Sequence, residues 1–543
     1  MSKISKVVKA ERKIEKEKPV VNFMGGISYE LNPLDTLKMI SASSIFGEPQ
    51  YYRSSGFKDG SYYLDKYVQE YSVLDIDEGK TTSQIMINAI NSALDYDFEA
   101  TINWAATLRH DYYMRLNPQV IMVLAAKHPK RKEFSDNHPG LFREINNKVM
   151  HRADEPASQL SFYLYQYGNK SKIPSILKRS WCDRIENMSR YEMEKYRNHE
   201  VGMIDTIRIC HAKGDLINEL MKSGKIEVTD DQKTWEKLRV SGMSWKDILN
   251  TTHVGHMALL RNLRSIFKEV DDVEVLNKVV SDLKSGVIKG KQFPFRYYQA
   301  LRAIKRDSDV NFKPQLIDAL EECLDISIAN MPKLKGKTMC LSDNSGSAWG
   351  SFNSEYGSVT VAEIDNLSSV ITGMSSDEGY VGKFGDKLKI TPVSKRNGAL
   401  LQAESITSDM YRDVGGSTEN GVWIFFRDAI KNKDWYDNIF IYSDMQAGHG
   451  GLYGTGHSYV IEDEDFRCRD LRLHNYIDVM RLIHKYRQTV NPKVNVFCVQ
   501  TAGYNNVLVP EFTYRGAVLY GWTGKESLFA SKIIDMWDQK ESN

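Results

Sequence analysis

No Cys-x-x-Cys pair occurs among the six cysteines, Cys182, Cys210, Cys323, Cys340, Cys468 and Cys498. Neither a zinc cluster nor a disulfide framework is therefore indicated, and a reducing interior suits the chain best. No apolar run approaches the roughly 18 residues of a membrane span. The first residues also lack a signal peptide's apolar stretch, so the expectation is a cytoplasmic protein without a membrane partner. Walker loop, nucleophile elbow and zinc-ligand spacing are all missing, and with them the short signatures of the commonest hydrolases and nucleotide-driven enzymes. Charge of one sign is scarce too. With 72 Lys+Arg against 71 Asp+Glu the formal net charge is +1, which argues against indiscriminate polyanion binding over the whole surface but leaves room for local basic faces.

What is present suits a large soluble protein. At 543 residues, 41% hydrophobic and 26% charged, the chain exceeds what one core usually organises, and two or more domains are expected. Residues 1–20 read as a charged, solvated arm, with Lys3, Lys6, Lys9, Arg12 and Lys13 alternating with Glu11 and Glu15. Residues 21–332 carry helical periodicity with little strand alternation. Met86, Ile90, Ala93 and Leu94 form one stripe, and Asn117-Pro118 reads as a cap and first helical residue opening Gln119 to Ala126. Further helices are expected at 160–167, 202–211, 254–267 and 315–326. Antiparallel pairs at this density suggest an all-α, HEAT-like repeat array; a compact irregular helical domain is the alternative.

After Met331-Pro-Lys-Leu-Lys-Gly336 the pattern changes to alternating strands and helices, predicting a doubly wound, Rossmann-like α/β domain over 337–543. Strands are expected at 338–342, 380–383, 387–390, 439–443, 494–499 and 517–520, and helices at 361–372, 421–431, 471–486 and 526–537. The first strand ends in Asp343-x-Ser345-x-Ser347, a carboxylate and two hydroxyls of the kind a hard divalent cation takes. Such residues also make ordinary turns. Two later segments favour the metal: Gly415-Gly416-Ser417-Thr418 before a helix, and a second apolar strand ending at Asp444. Strand ends of an open α/β sheet converge on one crevice, so Asp343, Ser345, Ser347, Thr418 and Asp444 would meet there, with Ser417 competing for the Thr418 position. Mg²⁺ is the leading ion, with Mn²⁺ or Ca²⁺ as alternatives. The five glycines of 446–457 read as a loop beside this edge.

This ligand order resembles the metal-ion-dependent adhesion site of a von Willebrand factor A domain. Together with His256-Met-Ala-Leu-Leu-Arg-Asn-Leu263, Phe293-Pro-Phe-Arg-Tyr-Tyr-Gln-Ala300, Lys195-Tyr-Arg197 and Asp205-Thr-Ile-Arg-Ile-Cys-His211, it makes the chain similar to the Ro autoantigen family. In that family a TROVE module precedes the von Willebrand factor A domain. The resemblance implies a helical ring closed by the α/β domain. It also implies a noncatalytic ribonucleoprotein component that binds single-stranded 3′ ends of misfolded noncoding RNA in the hole and Y-like RNA on the rim, in RNA quality control, in some relatives alongside an exoribonuclease. Lys195, Arg197, Arg208 and His211 match the family's basic rim. Arg261, Asn262 and Arg296 would serve the cavity, where arginines hold phosphate while rings stack on bases. Lys130 and Arg131, in a basic run read as a loop, are further RNA candidates. For each residue a solvated or structurally paired role is the alternative. Two other functions stay open: a metal-dependent protein-interaction scaffold without RNA affinity, and a hydrolase working through the Asp343 cluster. A monomer is expected, because one chain would close its own ring.

Overall fold

The computed structural model describes residues 19–21, 27–29, 32–43, 82–197, 201–228, 233–346, 348–349, 360–408, 413–415, 419–443, 479–501, 515–520 and 524–542. Most of the charged arm and all of the glycine-rich 446–457 stretch lie outside them. A small antiparallel hairpin, β1 Pro19–Val21 with β2 Ile27–Tyr29, comes first. Its strands are too short to show a period in sequence, and the first of them reaches into the expected arm. Helices then follow: α1 Pro33–Ser43, α2 Thr82–Tyr96, α3 Phe98–His110, α4 Leu116–Lys127, α5 Arg131–Asn137, α6 Leu141–Val149, α7 Glu155–Tyr167, α8 Ser175–Glu186 and α9 Arg190–Lys195. The series continues with α10 Met203–Cys210, α11 Asp215–Ser223, α12 Trp235–Val240, α13 Trp245–Thr251, α14 His256–Glu269, α15 Val273–Gly290, α16 Pro294–Arg306 and α17 Lys313–Ala329.

Local chemistry explains where these helices start. Asp97 accepts the Ala100 N–H at 2.9 Å to cap α3, Ser189 and Glu192 form a capping box on α9, and Asp272 caps α15. The stripe Met86, Ile90, Ala93 and Leu94 is buried as its spacing predicts. At α4 the cap lies two residues earlier than expected, at Arg115. The helix already begins at Leu116, and the Asn117 side chain gives its N–H to the Ser41 carbonyl at 2.7 Å, tying α4 to α1. The contact to the buried end of α1 takes the Asn117 side chain in place of a local cap.

Beyond α17 the elements alternate: β3 Leu334–Asp343, α18 Val361–Met374, β4 Ser376–Phe384, β5 Leu388–Pro392, α19 Ala399–Thr407, α20 Glu419–Asn432, β6 Asn438–Ser443, α21 Val479–Thr489, β7 Asn495–Gln500, β8 Gly516–Tyr520 and α22 Glu526–Ser542. The strands lie in the order β5-β4-β3-β6-β7-β8, parallel throughout except for β4 with β5. Chain direction across the sheet reverses between β3 and β6, which pair from Thr338↔Asn438 to Ser342↔Tyr442. Their carboxyl ends therefore open the crevice at which doubly wound sheets bind ligands.

One face of this sheet packs against both ends of the helical run. Phe440, Tyr442, Phe497 and Leu519, with Leu528 and Phe529 of α22, belong to one apolar core with Leu37 of α1 and Ile90 of α2. Tyr112, after α3, stacks on Phe529 with ring centroids 5.3 Å apart. Leu301 and Ile304 of α16 and Leu316 and Leu320 of α17 share a second core with Ile364, Leu367 and Ile371 of α18 and Leu400 of α19. The helical run is thus closed into a ring by the α/β unit. On the other face, Trp423, Phe425 and Phe426 of α20 and Leu482, Ile483 and Tyr486 of α21 form a core within the unit.

Because Phe529 is fully buried between the two parts, Phe529→Ala is expected to cost about 3–5 kcal/mol through lost transfer energy and a residual cavity. Chemical denaturation checks this. The early helices and the α/β unit should then lose their common transition, whereas a similar truncation at Phe426, inside the unit, should leave them coupled.

Candidate functional site

At the crevice, the Asp343 carboxylate is wholly removed from solvent. Its Oδ1 accepts the Ser345 N–H at 2.9 Å, and its Oδ2 accepts the Ser443 hydroxyl at 2.6 Å. Ser443, the last residue of β6, was not singled out in the sequence, and its position one residue before Asp444 is the clue that pointed near it. The loop before α20 reaches the same edge. Gly415, with φ +84°, lies so close to Asp386 that a Cβ there would meet its carboxylate oxygen at 2.0 Å, and Val414 accepts the Lys387 N–H at 2.8 Å. Ser347, Ser417, Thr418 and Asp444 lie outside the described residues. What is described brings Asp343, Ser345, the 413–415 segment and the end of β6 to one edge. Oxygen donors alone, with one buried carboxylate among hydroxyls, fit a hard divalent cation and not a soft one. Among the described residues no cluster of three or more His, Cys, Asp or Glu is gathered for a metal.

Behind the crevice, Asn344 joins the Asp343–Ser345 segment to α18. Asn344 and Asn366 of α18 exchange side-chain amide hydrogen bonds at 2.8 and 3.0 Å, and Ser342 donates to Asn366 at 2.7 Å. Asn366 also donates to the Thr407 hydroxyl at 3.0 Å, at the end of α19. Thr407 lines a cavity of about 340 Å³ shared with Tyr298, Arg302, Lys305, Arg306 and Glu363. Across it Arg302 of α16 donates to Glu363 of α18 at 2.8 Å and to the Tyr298 hydroxyl at 3.1 Å, while Lys305 pairs with Glu404 at 2.5 Å. Glu363 closes the capping box of α18 as well, so one carboxylate starts that helix and holds the ring to it.

The basic candidates fall into two sets. Lys195 is exposed, with Nζ 5.4 and 5.5 Å from the rings of Tyr191 and Tyr196. Arg208 is exposed and lies 3.8 Å from Asp205, and His211 caps α10 in the left-handed region at φ 64°. Arg197 differs from them. It is partly buried, donates to the Gly224 carbonyl at 2.5 Å and stands 3.6 Å from the buried Glu194. The chain around Asn198 and His199 lies outside the described residues. Lys195 and Arg197 sit near the start of α10, with Arg208 and His211 at its end, about one short helix length or roughly 11 Å away. In the basic run, Arg131 opens α5 and Lys127 ends α4, so only 128–130 form a link. Lys130 bonds the Asp95 carbonyl, His128 Nε2 lies 3.2 Å from Asp95, and Lys127 donates to Ser171 at 3.2 Å. Lys127, His128 and Lys130 thus help pack α2, α4 and α7 together.

Arg261 is exposed on α14, without an ion-pair partner among the described residues. Asn262 turns back to the Ala258 carbonyl at 2.8 Å. Arg296 lies 4.9 Å from the Phe295 ring, which stacks on Phe293 at 5.8 Å. Tyr297 and Tyr298 are core residues, as the bland reading of that aromatic run expects, and Tyr297 holds His256 at 2.9 Å. Burial keeps His256 below its ordinary value and hence neutral.

A third charged cluster had no short-range signature, because its members come from four separate segments. Glu155 and Asp154 are buried. Arg109 bonds Glu155 at 2.9 Å, Arg152 bonds Asp154 at 3.1 Å, and Arg115 also bonds Asp154. Arg152 reaches the Tyr196 hydroxyl at 2.9 Å, beside Lys195. Burial pushes Glu155 up against the pull of Arg109. Burial, followed by the field of Arg109, His110, Arg184 and Arg152, holds the nearby His151 below its ordinary value. The rim near Lys195 is therefore electropositive beyond the residues its sequence motif contains.

A run of paired helices closed by a doubly wound α/β unit, with an Asp-x-Ser crevice at the unit's strand ends, defines the class: a helical-repeat ring with a von Willebrand factor A-like domain. No family model and no curated protein sequence matches the chain. Among solved structures the Ro (RSR) protein of Deinococcus radiodurans aligns with a TM-score of 0.57 over 85% of this chain and 95% of its own, at 13% identity. The likeness is one of fold, and it spans both parts of the chain.

Removing Arg109 leaves Glu155 buried with Arg115 3.9 Å away as its remaining described ion-pair neighbour. Arg109→Met is therefore expected to destabilise by about 3–5 kcal/mol in urea titration. Adding Glu155→Gln should restore much of that loss, and a double variant no better than the single would contradict the pairing.

Proposed function

We propose that the chain is a Ro-type RNA-binding protein that acts without catalysis, takes single-stranded 3′ ends of noncoding RNA in its ring and structured, Y-like RNA on its rim, and serves RNA quality control or tethers an exoribonuclease. The observation that supports this best is the closed ring itself, shared along its length with the Ro protein, with exposed Arg261 on its helical part and Arg296 beside the Phe295 ring. Lys195, Arg208 and His211 are free to meet a ligand at the rim, whereas Arg197 would act through its hold on Gly224. Lys130 and Arg131 would contribute little. Affinity would combine salt-sensitive phosphate contacts with stacking of bases on aromatic faces. Among the described residues no helix is long and apolar enough to cross a membrane.

The metal edge has its own role in this reading. Asp343, Ser345, Ser347, Thr418 and Asp444 would hold a divalent cation, Mg²⁺ first, that supplies an open coordination position to an acidic group of a protein partner. Asp343 takes that role most firmly, since the Ser345 N–H and Ser443 hydroxyl fix its orientation. The scaffold reading shares this edge and differs in having no RNA affinity.

Two measurements test the proposal. Equilibrium binding at near-physiological salt should favour a duplex with a single-stranded 3′ tail over its blunt form, and Arg261→Ala with Arg296→Ala should weaken the tailed form by roughly tenfold or more. Equal, negligible binding to both forms would move the reading to the protein scaffold. Separately, millimolar Mg²⁺ should raise the melting temperature of the wild-type protein and leave that of Asp343→Ala unchanged, because only a native-state site stabilises on binding.

A further inference from the structure

α19 touches both parts of the molecule and ends behind the crevice. Its first residue, Ala399, gives its N–H to Asp325 of α17 at 3.0 Å. A carboxylate at that point also meets the positive end of the helix dipole. Midway along, Glu404 pairs with Lys305 of α16 at 2.5 Å. Leu400 and Ala403, on the buried face, share an apolar core with Leu316, Leu320 and Leu324 of α17. At the far end the Thr407 hydroxyl accepts from Asn366 of α18 at 3.0 Å. With 9 residues α19 is roughly 13 Å long, and it carries the position of α16 and α17 over that length to Asn366.

Asn366 has no slack with which to absorb a shift. Its Nδ2 donates to Thr407 and, at 3.0 Å, to Asn344; its Oδ1 accepts the Ser342 hydroxyl at 2.7 Å and the Asn344 amide at 2.8 Å. Two donors and two acceptor positions are all that a carboxamide offers. Ser342, Asn344 and Asn366 are wholly buried, so a displaced Thr407 leaves a donor unmet unless Asn366 and Asn344 follow it. Asn344 stands between Asp343 and Ser345, and its own N–H is fixed to the Phe384 carbonyl at 2.8 Å. Movement of its side chain therefore turns the two flanking candidate ligands. Among the described residues the chain beyond α19 is pinned to the sheet instead, Asp413 by Lys383 at 2.8 Å and by Lys389 at 3.2 Å. The route from α19 to Asp343 thus runs through Asn366.

We propose that the helical run sets the cation affinity of the crevice through α19, with Thr407 and Asn366 as positioning residues for Asp343 and Ser345. This rests on the cation reading of the Asp343 edge and adds what governs it. Asp325 and Lys305 hold α19 in the register at which Asn366 is satisfied on both sides. Loosening either contact lets α19 move and relaxes the orientation of the Asp343 carboxylate. By linkage, a cation in the crevice tightens the joint between the helical run and the α/β unit to the same degree.

The test uses the full chain and counts free Mn²⁺ by electron paramagnetic resonance. Thr407→Val, which keeps the shape and removes the acceptor, should weaken cation binding about tenfold, and Thr407→Ser should stay within about twofold of wild type. Asp325→Ala combined with Lys305→Met, both in the helical run, should weaken binding about threefold. The same pair should add nothing further in the Thr407→Val background, because both changes act along one path. Lys246→Met, which breaks a 2.7 Å pair with Asp272 elsewhere in the helical run, should leave the affinity unchanged. Wild-type affinity in the Asp325→Ala, Lys305→Met protein, or losses that multiply in full, overturns the role of α19. A wild-type protein that takes no cation removes the metal reading, and amide hydrogen exchange then decides the role of α19 separately. Faster exchange at Asn344 and Ser345 with Asp325→Ala and Lys305→Met than with Lys246→Met upholds it, and equal exchange overturns it.

Discussion

The structure depends on one apolar sheet face. An open parallel sheet must be covered on both sides, and here α20 and α21 cover one side from within the unit. The other side is finished by α18 and α22 together with the first and last helices of the helical run. Taking the ring apart would therefore expose sheet core, and this ties the position of every surface feature to that face. The crevice at Asp343 points away from a sheet whose flank is already committed to the ring.

Buried polar groups carry position where the apolar contacts carry energy. Asn366 lies within the cover of the sheet, yet its amide is bonded on both sides, to the Asn344 and Ser342 side chains and to Thr407. An amide satisfied in this way fixes the register of the Asp343–Ser345 loop against α18 and α19, since any shift would leave a buried donor unmet. Glu155 and Asp154 do the same for the early helices, with three arginines arriving from different segments. Glu363 extends the principle to the boundary between the parts.

Much of the fold was legible in the sequence because the α/β half follows short-range rules. Each of the six expected strands overlaps an observed one, those at 387–390 and 494–499 starting one residue early, and Asp343 ends its strand as the pattern required. The helices at 202–211, 254–267 and 315–326 match α10, α14 and α17 to within three residues at either end. The site was legible only in part. Residue type and spacing placed Asp343 and Ser345 at one edge, and aromatic neighbours flagged Arg296. They gave no hint that Arg197 turns inward to Gly224 or that Lys130 is used against Asp95, because burial depends on partners chosen by the tertiary fold. Ser443 escaped notice because a serine ending an apolar strand has no local signature.

The pairing of α22 with α1 carries a consequence for biosynthesis. Protein chains emerge amino end first and fold as they do so, so α1 to α17 leave the ribosome before any strand of the sheet exists. One of their contacts, Phe529 on Tyr112, waits for α22. Throughout that interval the nascent protein is an incomplete arc with an uncovered apolar rim, and ribosomes stalled before residue 526 would release a species prone to capture by chaperones or by copies of itself.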